Sequence, residues 1–241
     1  MNKNQVMKQL KALGTAQNRK VYSRHLGPHL HDMFGVSYAN LGKLKKQIKV
    51  DHELAEQLWA TGNLDARTLA TMIADPQQMT ARKLDAWVKD ANNRGSASAL
   101  SNLAAEAPTA IKRVEKWTKS KDEWVGVAGW HTLASLARDD ESLTDSVLDG
   151  YLKRIEAEID GAKNYTRYAM NNALISIGIR NPKLQKKAIA TAKRIGKVEV
   201  DHGETSCKTP DAVPYIAKAV AHQAKKAQKK KSKSKAAAGA H

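Results

Sequence analysis

The sequence predicts an all-α protein in which helical hairpins stack side by side as an α-solenoid. Amphipathic segments of helix length recur along the 241 residues, separated by short polar or glycine-containing breaks. No segment shows a sustained alternation of apolar and polar residues, the pattern typical of strands. Hairpins of roughly 35 to 45 residues each can bury their apolar faces on their neighbours. A compact all-α bundle is the structural alternative, because the repeats show no strict period.

The clearest hairpin lies in residues 51–76, which read DHELAEQLWATGNLDARTLATMIADP. The apolar residues Leu54, Leu58 and Trp59 follow helical spacing, and a break falls at Gly62. The apolar stripe then resumes and continues until a proline ends it. This segment therefore predicts two helices joined by a tight turn.

The remaining helices follow from the same spacing and from capping residues. Ser37 and Asp122 can act as N-caps. Pro182 suits a first helical turn, and Gly196 can terminate the helix before it. In chain order, the predicted helices are Lys3–Leu13, Ser37–Lys49, Asp51–Ala60, Asp65–Ala74, Ala81–Lys89, Ser96–Ala105, Ala107–Thr118, Asp122–Leu136, Ser142–Glu158, Tyr165–Ile179, Pro182–Ile195 and Asp211–Ala227.

Composition is typical of a helical protein of the cytosol. Apolar residues make up 41% of the chain, enough for a sizeable core, and one Phe, six Tyr and five Trp are few for a sheet sandwich. Cys207 is the single cysteine, so an internal disulfide is excluded and a reducing compartment is expected. No apolar run approaches the roughly 18 residues of a membrane span, and the N-terminus lacks a signal-peptide core. We expect a soluble intracellular protein.

The net charge of +17 is unevenly distributed. Residues 225–241 contain seven lysines and no acid in a low-complexity stretch that we expect to be disordered. Those lysines account for seven of the +17 charges and leave +10 on residues 1–224, which favours a polyanionic partner over a neutral metabolite. The lysine-rich tail is either a solvated terminus without a specific role or a non-specific phosphate contact.

The hairpin of residues 51–76 resembles a segment of the DNA alkylation repair family, the bacterial alkylpurine DNA glycosylases built from HEAT-like helical repeats. Members commonly carry an ELALELWESGIHEARILAALI-type hairpin, and the resemblance extends at lower identity from about Tyr38 to Ala217. It implies one domain of HEAT-like (ARM-type) repeats over residues 1–224, followed by the tail 225–241. It also implies a monomer of the bacterial cytosol, associated with the nucleoid, that binds double-stranded DNA, alkylated or distorted, on a basic concave face without a cofactor.

Three positions that carry chemistry in that family are substituted here. The Trp-Asp segment of the family falls in residues 91–98, which contain neither Trp nor Asp. The family Arg falls at Val127, and a family Trp falls at Asn172. Base excision needs an anion near an oxocarbenium-like sugar, so the resemblance implies weak or absent excision. No catalytic residue can be named, and Asp90 is the nearest remaining carboxylate.

Two segments supply most of the residues predicted to contact DNA. Asn93 and Arg94 precede a Gly-Ser-Ala-Ser run at a predicted helix start, where backbone N–H groups can approach a phosphate. A polar loop with a serine cap is the alternative. Arg167, Asn171 and Asn172 share a helical face, for which the alternative is hydrogen bonding within the protein. The full predicted set is Asn93, Arg94, Trp130, Arg167, Asn171, Asn172 and Lys208.

Trp130 and Arg167 each have a structural alternative. Trp130 is a candidate for stacking on a base, although core packing is the ordinary role of a tryptophan in an apolar helical stripe. Arg167 is either a phosphate contact or a buried arginine paired with a carboxylate such as Glu158 or Asp160.

A polar loop is predicted between the last two helices, over Gly196–Pro210, and it is similar to a stretch found in one branch of the same family. It contains Asp201, His202, Glu204 and Cys207, which form either a self-bonded loop with Thr209 or Asp211 capping the last helix, or a functional loop at the mouth of a groove. We predict no metal site, because two soft ligands are too few for a closed zinc site. The histidines at 29 and 31 are likewise predicted to lie in a polar connector.

Three functions are consistent with these features. The first is a DNA-binding protein of the alkylation repair family that recognises or excises alkylated bases. The second is a non-catalytic binder of distorted or branched DNA, favoured by the substituted positions. The third is a HEAT-like scaffold for an acidic protein partner.

Overall fold

The computed structural model describes residues 1–26 and 32–238, which contain thirteen α-helices, one 3₁₀ turn and no strand. The predicted all-α class is therefore confirmed. None of these helices is both long and apolar enough to cross a bilayer. The helices are α1 (Lys3–Leu13), α2 (Ala16–Leu26), α3 (Tyr38–Ile48), α4 (His52–Trp59), α5 (Leu64–Ile73), α6 (Ala81–Lys89), α7 (Arg94–Glu106), α8 (Ala110–Trp117), α9 (Glu123–Asp139), α10 (Asp145–Glu158), α11 (Asn164–Arg180), α12 (Pro182–Ile195) and α13 (Ala212–Ala238).

The helices form two layers. The first layer consists of α4, α6, α8, α10 and α12, and the second consists of α5, α7, α9, α11 and α13. Each first-layer helix pairs with the second-layer helix that follows it, and each second-layer helix packs against the next one along the stack. Helices α1 and α3 cover the beginning of the stack at α4 and α5. This arrangement is the predicted solenoid of stacked hairpins rather than a closed bundle.

Short polar side chains begin the helices at the predicted places. The Asp51 side chain accepts a hydrogen bond from the backbone N–H of Leu54 (3.0 Å), and Asp122 caps α9. Ser37 caps α3 in the same way. Gly196 ends α12 at a φ of 74°, a left-handed conformation that costs glycine little.

Close helix approach depends on two glycines. A Cβ on Gly129 would lie 2.7 Å from the backbone nitrogen of Thr118, so α9 contacts α8 there with no room for a side chain. A Cβ on Gly178 would lie 2.7 Å from the side chain of Ile216, where α11 meets α13. The core between the layers is otherwise built mainly from leucine, alanine and isoleucine.

The structure differs from the sequence prediction at two elements. Helix α2 was not predicted, because it buries no residue and has no apolar stripe; the Tyr22 hydroxyl instead donates to the Val36 carbonyl (2.9 Å). Helix α13 extends to Ala238, through most of residues 225–241, for which the sequence predicts disorder. Alanine, lysine and glutamine are strong helix formers, and a helix of these residues needs no buried face. The histidines at 29 and 31 lie outside the described residues.

Candidate nucleic-acid interface

A groove of about 480 Å³ lies on the face of the second layer that points away from the first layer. It is lined only by residues of α7, α9, α11, α13 and the loop between α12 and α13. On α9, His131, Ser135 and Arg138 line the groove at offsets of four and seven, the spacing of one helical face. The opposite face of α9 is buried in the core, as Trp130 and Leu133 show. The groove is therefore the polar face of amphipathic helices.

The groove carries positive charge without negative charge. Arg138 and Lys208 line it and are exposed, and neither belongs to an ion pair within the described part of the chain. No aspartate or glutamate is among its described lining residues. Ser98, Asn102 and Asn172 add hydroxyl and amide groups that can donate hydrogen bonds. The groove can thus accept a chain of phosphates without repulsion from a carboxylate.

Arg94 lies at the end of the groove where α7 begins. Its guanidinium carbon is 5.5 Å from the ring centroid of Tyr165 and 5.7 Å from that of Tyr168, which itself lines the groove. A guanidinium nitrogen lies 4.0 Å from the Sγ of Cys207. Arg94 has no carboxylate partner among the described residues. The two tyrosine rings hold this cation in place.

The titratable groups around Arg94 respond to its charge. Removal from water lowers the pKa of His131 to about 4, and Arg94 adds to the shift. Burial and then Arg94 lower the pKa of His202 as well. The pKa of the Cys207 thiol is lowered by a hydrogen bond from Thr205 and by Arg94. Both imidazoles are therefore neutral at pH 7, and the positive charge at this end is concentrated on Arg94.

The predicted loop folds against α11 through two asparagines. The Asn164 side chain exchanges two hydrogen bonds with the backbone of Asp201, at 2.7 and 2.8 Å. The Asn171 amide, which is 1% exposed, donates to the carbonyl of Pro210 at 2.9 Å. These contacts hold the loop beside the groove, so the predicted DNA contact at Asn171 is corrected to a loop anchor.

Arg167 is a structural arginine. Its guanidinium donates to the backbone carbonyls of Ile159 (3.3 Å), Asp160 (3.3 Å), Ala162 (3.0 Å) and Glu199 (3.0 Å). Arg67 is the fourth residue of α5, as Arg167 is of α11. It likewise donates to the carbonyl eight residues before it, that of Trp59 (3.2 Å). The DNA contact predicted at Arg167 is therefore corrected, and its partners are carbonyls rather than a carboxylate. The equivalent position of Arg67 in α5 is the sequence signal that could have revealed this structural role of Arg167.

Two further predicted DNA contacts are buried. Asn93 is 0% exposed and caps α7 by accepting from the backbone N–H of Ser96 at 2.9 Å. Trp130 is 1% exposed and packs edge to face on Tyr151, with Arg154 above its ring at 5.0 Å. Neither side chain has a surface for DNA, so both predictions are corrected to structural roles.

The loop is bonded to itself at several points and also lies beside the groove, so it has features of both predicted alternatives. The His202 Nε2 lies 3.0 Å from the Thr209 hydroxyl, and the Thr205 hydroxyl donates to the His202 carbonyl at 2.9 Å. Asp211 caps α13 by accepting from the backbone N–H of Val213. The side chains of Asp201 and Glu204 are exposed at its surface. Within residues 1–26 and 32–238, no three His, Cys, Asp or Glu side chains cluster so as to hold a metal ion.

The positions at which the sequence predicts substitution of the family's site residues place neither a carboxylate nor an arginine among the described lining residues of the groove. Val127 is fully buried. The carboxylate of Asp90 accepts from the indole N–H of Trp59 (2.9 Å) and pairs with Arg67 (3.4 Å). Asp90 is not among the described lining residues of the groove. Of the predicted DNA contacts, Asn172 and Lys208 line the groove and Arg94 lies at its end. Arg138, His131 and Tyr168 were missed, although a polar stripe at helical spacing marks this face of α9.

The fold and the groove together define an α-solenoid with a basic face suited to a polyanion. The family described as "DNA alkylation repair enzyme" matches residues 6–216, and the chain belongs to that family. The chain is 30% identical over 215 residues to uncharacterized protein Lin0241 of Listeria innocua, covering 88% of this chain and 94% of that protein. It is 28% identical to uncharacterized protein Lmo0209 of Listeria monocytogenes over the same shares.

A solved structure is also similar to this fold. It comes from a family of proteins related to the HEAT-like repeat DNA glycosylases with affinity for branched DNA structures. It is 32% identical to this chain, covers 92% of this chain and 95% of its own, and superposes with a TM-score of 0.84. The helical solenoid of this protein is thus of the HEAT-like repeat type.

Proposed function

We propose that this protein binds branched DNA through the groove and does not excise alkylated bases. The observation that carries the proposal is a groove lined by Arg138 and Lys208 and by no acid among its described residues. Such a lining suits the phosphate backbone but supplies no anion for a developing sugar cation. The affinity of the similar solved protein for branched DNA supports the same function.

The groove offers three kinds of contact to a phosphate backbone. Arg138 and Lys208 supply exposed cations, and Arg94 supplies a cation held by two tyrosine rings. The Asn172 amide and the Ser98 hydroxyl, which also line the groove, supply neutral hydrogen-bond donors. Contacts of this kind fix position on the backbone and are insensitive to base sequence. We therefore expect recognition of DNA shape rather than of sequence.

The experiment compares a four-way junction with a linear duplex of equal arm length, each labelled for fluorescence anisotropy. We expect the junction to bind on the order of tenfold more tightly, a difference of about 1.4 kcal/mol. The double variant Arg138→Gln/Lys208→Gln is expected to weaken binding, whereas Lys112→Gln/Lys193→Gln, on exposed first-layer lysines, serves as the matched control. Equal affinity for junction and duplex would contradict the proposal.

Excision is the second candidate function, favoured by the family's description as a DNA alkylation repair enzyme. Release of 3-methyladenine or 7-methylguanine from methylated duplex DNA tests it directly. We expect no release above the uncatalysed rate, because no carboxylate among the described residues lines the groove. Release at enzyme-like rates would replace the proposed function with excision.

A further inference from the structure

A second cationic site lies between the two helix layers, at the edge of the stack where α9 and α11 begin. This cavity of about 660 Å³, called here the rim pocket, is bounded by Lys119, Lys121, Trp130, Arg154 and Lys163. Its walls include the loops that precede α9 and α11. No role described above accounts for it.

The rim pocket has uncompensated positive charge. Lys119, Lys121 and Lys163 are exposed, and none of them forms an ion pair among the described residues. Glu158 is the only acid among the described residues that line the pocket, and Arg154 neutralises it through hydrogen bonds of 2.8 and 3.0 Å. Three lysines are therefore available to an anion.

At three places elsewhere on the first layer, a cation is neutralised by a carboxylate of a neighbouring repeat. Lys83 of α6 pairs with Glu56 of α4 at 2.5 Å, and Arg194 of α12 pairs with Glu156 of α10 at 2.6 Å. Lys187 likewise pairs with Asp149 at 2.8 Å. Each of these three cations faces a carboxylate on the preceding first-layer helix, whereas the lysines of the rim pocket have no such partner among the described residues.

Arg154 makes the wall of the rim pocket rigid. Its guanidinium donates to the hydroxyl of Thr118 at 3.0 Å and to the carbonyl of Thr118 at 2.9 Å. It also lies over the ring of Trp130 at 5.0 Å. The tryptophan thus forms the floor of this pocket and holds its fixed cation, while the three lysines surround the opening.

The rim pocket and the groove lie on opposite sides of the same helices. Trp130 and His131 are consecutive on α9, and they line the rim pocket and the groove, respectively. On α11, Met170 lines the rim pocket and Asn172 lines the groove. Arg94, at the start of α7, places the cationic end of the groove at the same edge of the stack. The rim lysines and the cationic end of the groove therefore lie along one edge of the solenoid.

We propose that the rim pocket binds the phosphate backbone of a second duplex arm while the groove holds the first. This inference rests on the proposed function. A linear duplex in the groove leaves the rim unused, whereas a branch point presents a second backbone that diverges at this edge. The three rim lysines would then supply the additional contacts that distinguish a junction from a duplex.

The test is a charge reversal at the rim, Lys119→Glu/Lys121→Glu/Lys163→Glu. The matched control is Lys112→Glu/Lys186→Glu/Lys193→Glu, three exposed first-layer lysines outside both sites and without an ion pair among the described residues. Relative to the control, we expect the rim variant to bind the four-way junction on the order of tenfold or more weakly and the linear duplex with an affinity within about threefold. Thermal melting should show both variants folded, because every replaced lysine is exposed.

Three results would overturn the inference. If the rim variant matches the control on the junction, or loses equal affinity for both DNAs, the rim makes no contact with a second arm. If the wild-type protein itself shows no preference for the junction, the proposed function fails, and the second-arm contact fails with it. A junction preference that survives at full strength in the rim variant rejects the inference alone.

Discussion

At the scale of single residues, two arginines of similar appearance in the sequence have different roles. Arg167 donates to four backbone carbonyls, whereas Arg138 is exposed in the groove. We expect Arg167→Gln to lower the free energy of unfolding by about 2 to 4 kcal/mol, because hydrogen bonds from a charged group are lost and carbonyls are left without donors. Thermal melting measures this loss, and the junction affinity of the folded protein should stay within about twofold.

Arg138→Gln is the matched variant with the opposite expectation. Its melting temperature should be unchanged, and its junction affinity should fall by on the order of threefold to tenfold as one phosphate contact is lost. If Arg167→Gln lost affinity at unchanged stability, or Arg138→Gln lost stability at unchanged affinity, the two assignments would be reversed.

His131 predicts a pH dependence of stability. Its pKa is lowered to about 4, first by removal from water and then by Arg94, so the unfolded chain binds a proton more readily than the folded protein does. The stability that the neutral His131 side chain contributes to the fold is present in full above the unfolded pKa of 6.5. It is lost as the pH falls towards 4. A shift of this size corresponds to up to about 3 kcal/mol.

His131→Gln isolates that contribution, because its side chain does not titrate. Denaturant unfolding at pH 7, 6, 5 and 4 should show that the wild-type protein loses more stability over this range than the variant does. Parallel losses in the two proteins would show that His131 is not held neutral in the folded state.

At the scale of elements, α11 carries two functions on adjacent faces. Asn164, Arg167 and Asn171 follow at offsets of three and seven and hold the loop, whereas Tyr168 and Asn172 face the groove. Sequence spacing placed Arg167, Asn171 and Asn172 together because they are close on a helix. It could not show which neighbours each side chain meets, since the loop partners Glu199 and Pro210 lie more than 30 residues further along the chain.

An ion-pair cluster at Asp85 joins α6 to α8 in the first layer. Burial acts to raise the pKa of this carboxyl, but hydrogen bonds from Lys116 and Trp117 and the charge of Arg113 lower it below its ordinary value. Asp85→Asn is expected to cost on the order of 2 to 3 kcal/mol at pH 7, because Arg113 loses its partner while only 11% exposed.

The same cluster predicts how that cost varies with pH. A lowered carboxyl pKa stabilises the fold above the unfolded value of 3.8 and ceases to do so as the pH falls through the folded value. The stability difference between wild type and Asp85→Asn should therefore shrink below about pH 4. Urea unfolding of both proteins at pH 7 and pH 3 measures it, and a constant difference would contradict this assignment.

Helix α13 predicts the effect of removing the tail. Truncation after Ala224 deletes seven lysines and leaves the groove and the rim pocket in place. We expect the truncated protein to bind DNA more weakly than the full chain, with a shallower dependence on salt, and to keep its preference for the junction. If truncation abolished DNA binding even at low salt, the tail alone would explain the charge of the protein.

At the scale of the whole molecule, the sequence determined the fold more fully than the site. Helices, caps and hairpin pairing follow from apolar spacing and from local residues such as Asp122 and Gly196, which act within a few residues of themselves. Helix α2 could not be predicted in this way, because it buries no residue and therefore has no apolar spacing. The groove depends on which faces of α7, α9 and α11 come together. For that reason Trp130 was predicted in place of its neighbour His131.

The distribution of charge is likewise a property of the folded molecule. A net charge of +17 indicates a polyanionic partner but not where it binds. In the structure, some first-layer cations, such as Arg194, pair with carboxylates of the preceding first-layer helix, whereas Arg138 and Lys208 in the groove do not. The distinction between neutralised and available cations required the stacking of the repeats.

The central claim is that the groove holds the phosphate backbone, and the salt dependence of junction binding tests it most directly. The slope of log affinity against log salt is measured for the wild-type protein and for Arg138→Gln/Lys208→Gln. Loss of two phosphate contacts should make the slope shallower by about 1.8, at about 0.9 per contact. The Lys112→Gln/Lys193→Gln control should keep the wild-type slope. An unchanged slope in the groove variant would contradict the claim and place the DNA elsewhere on the protein.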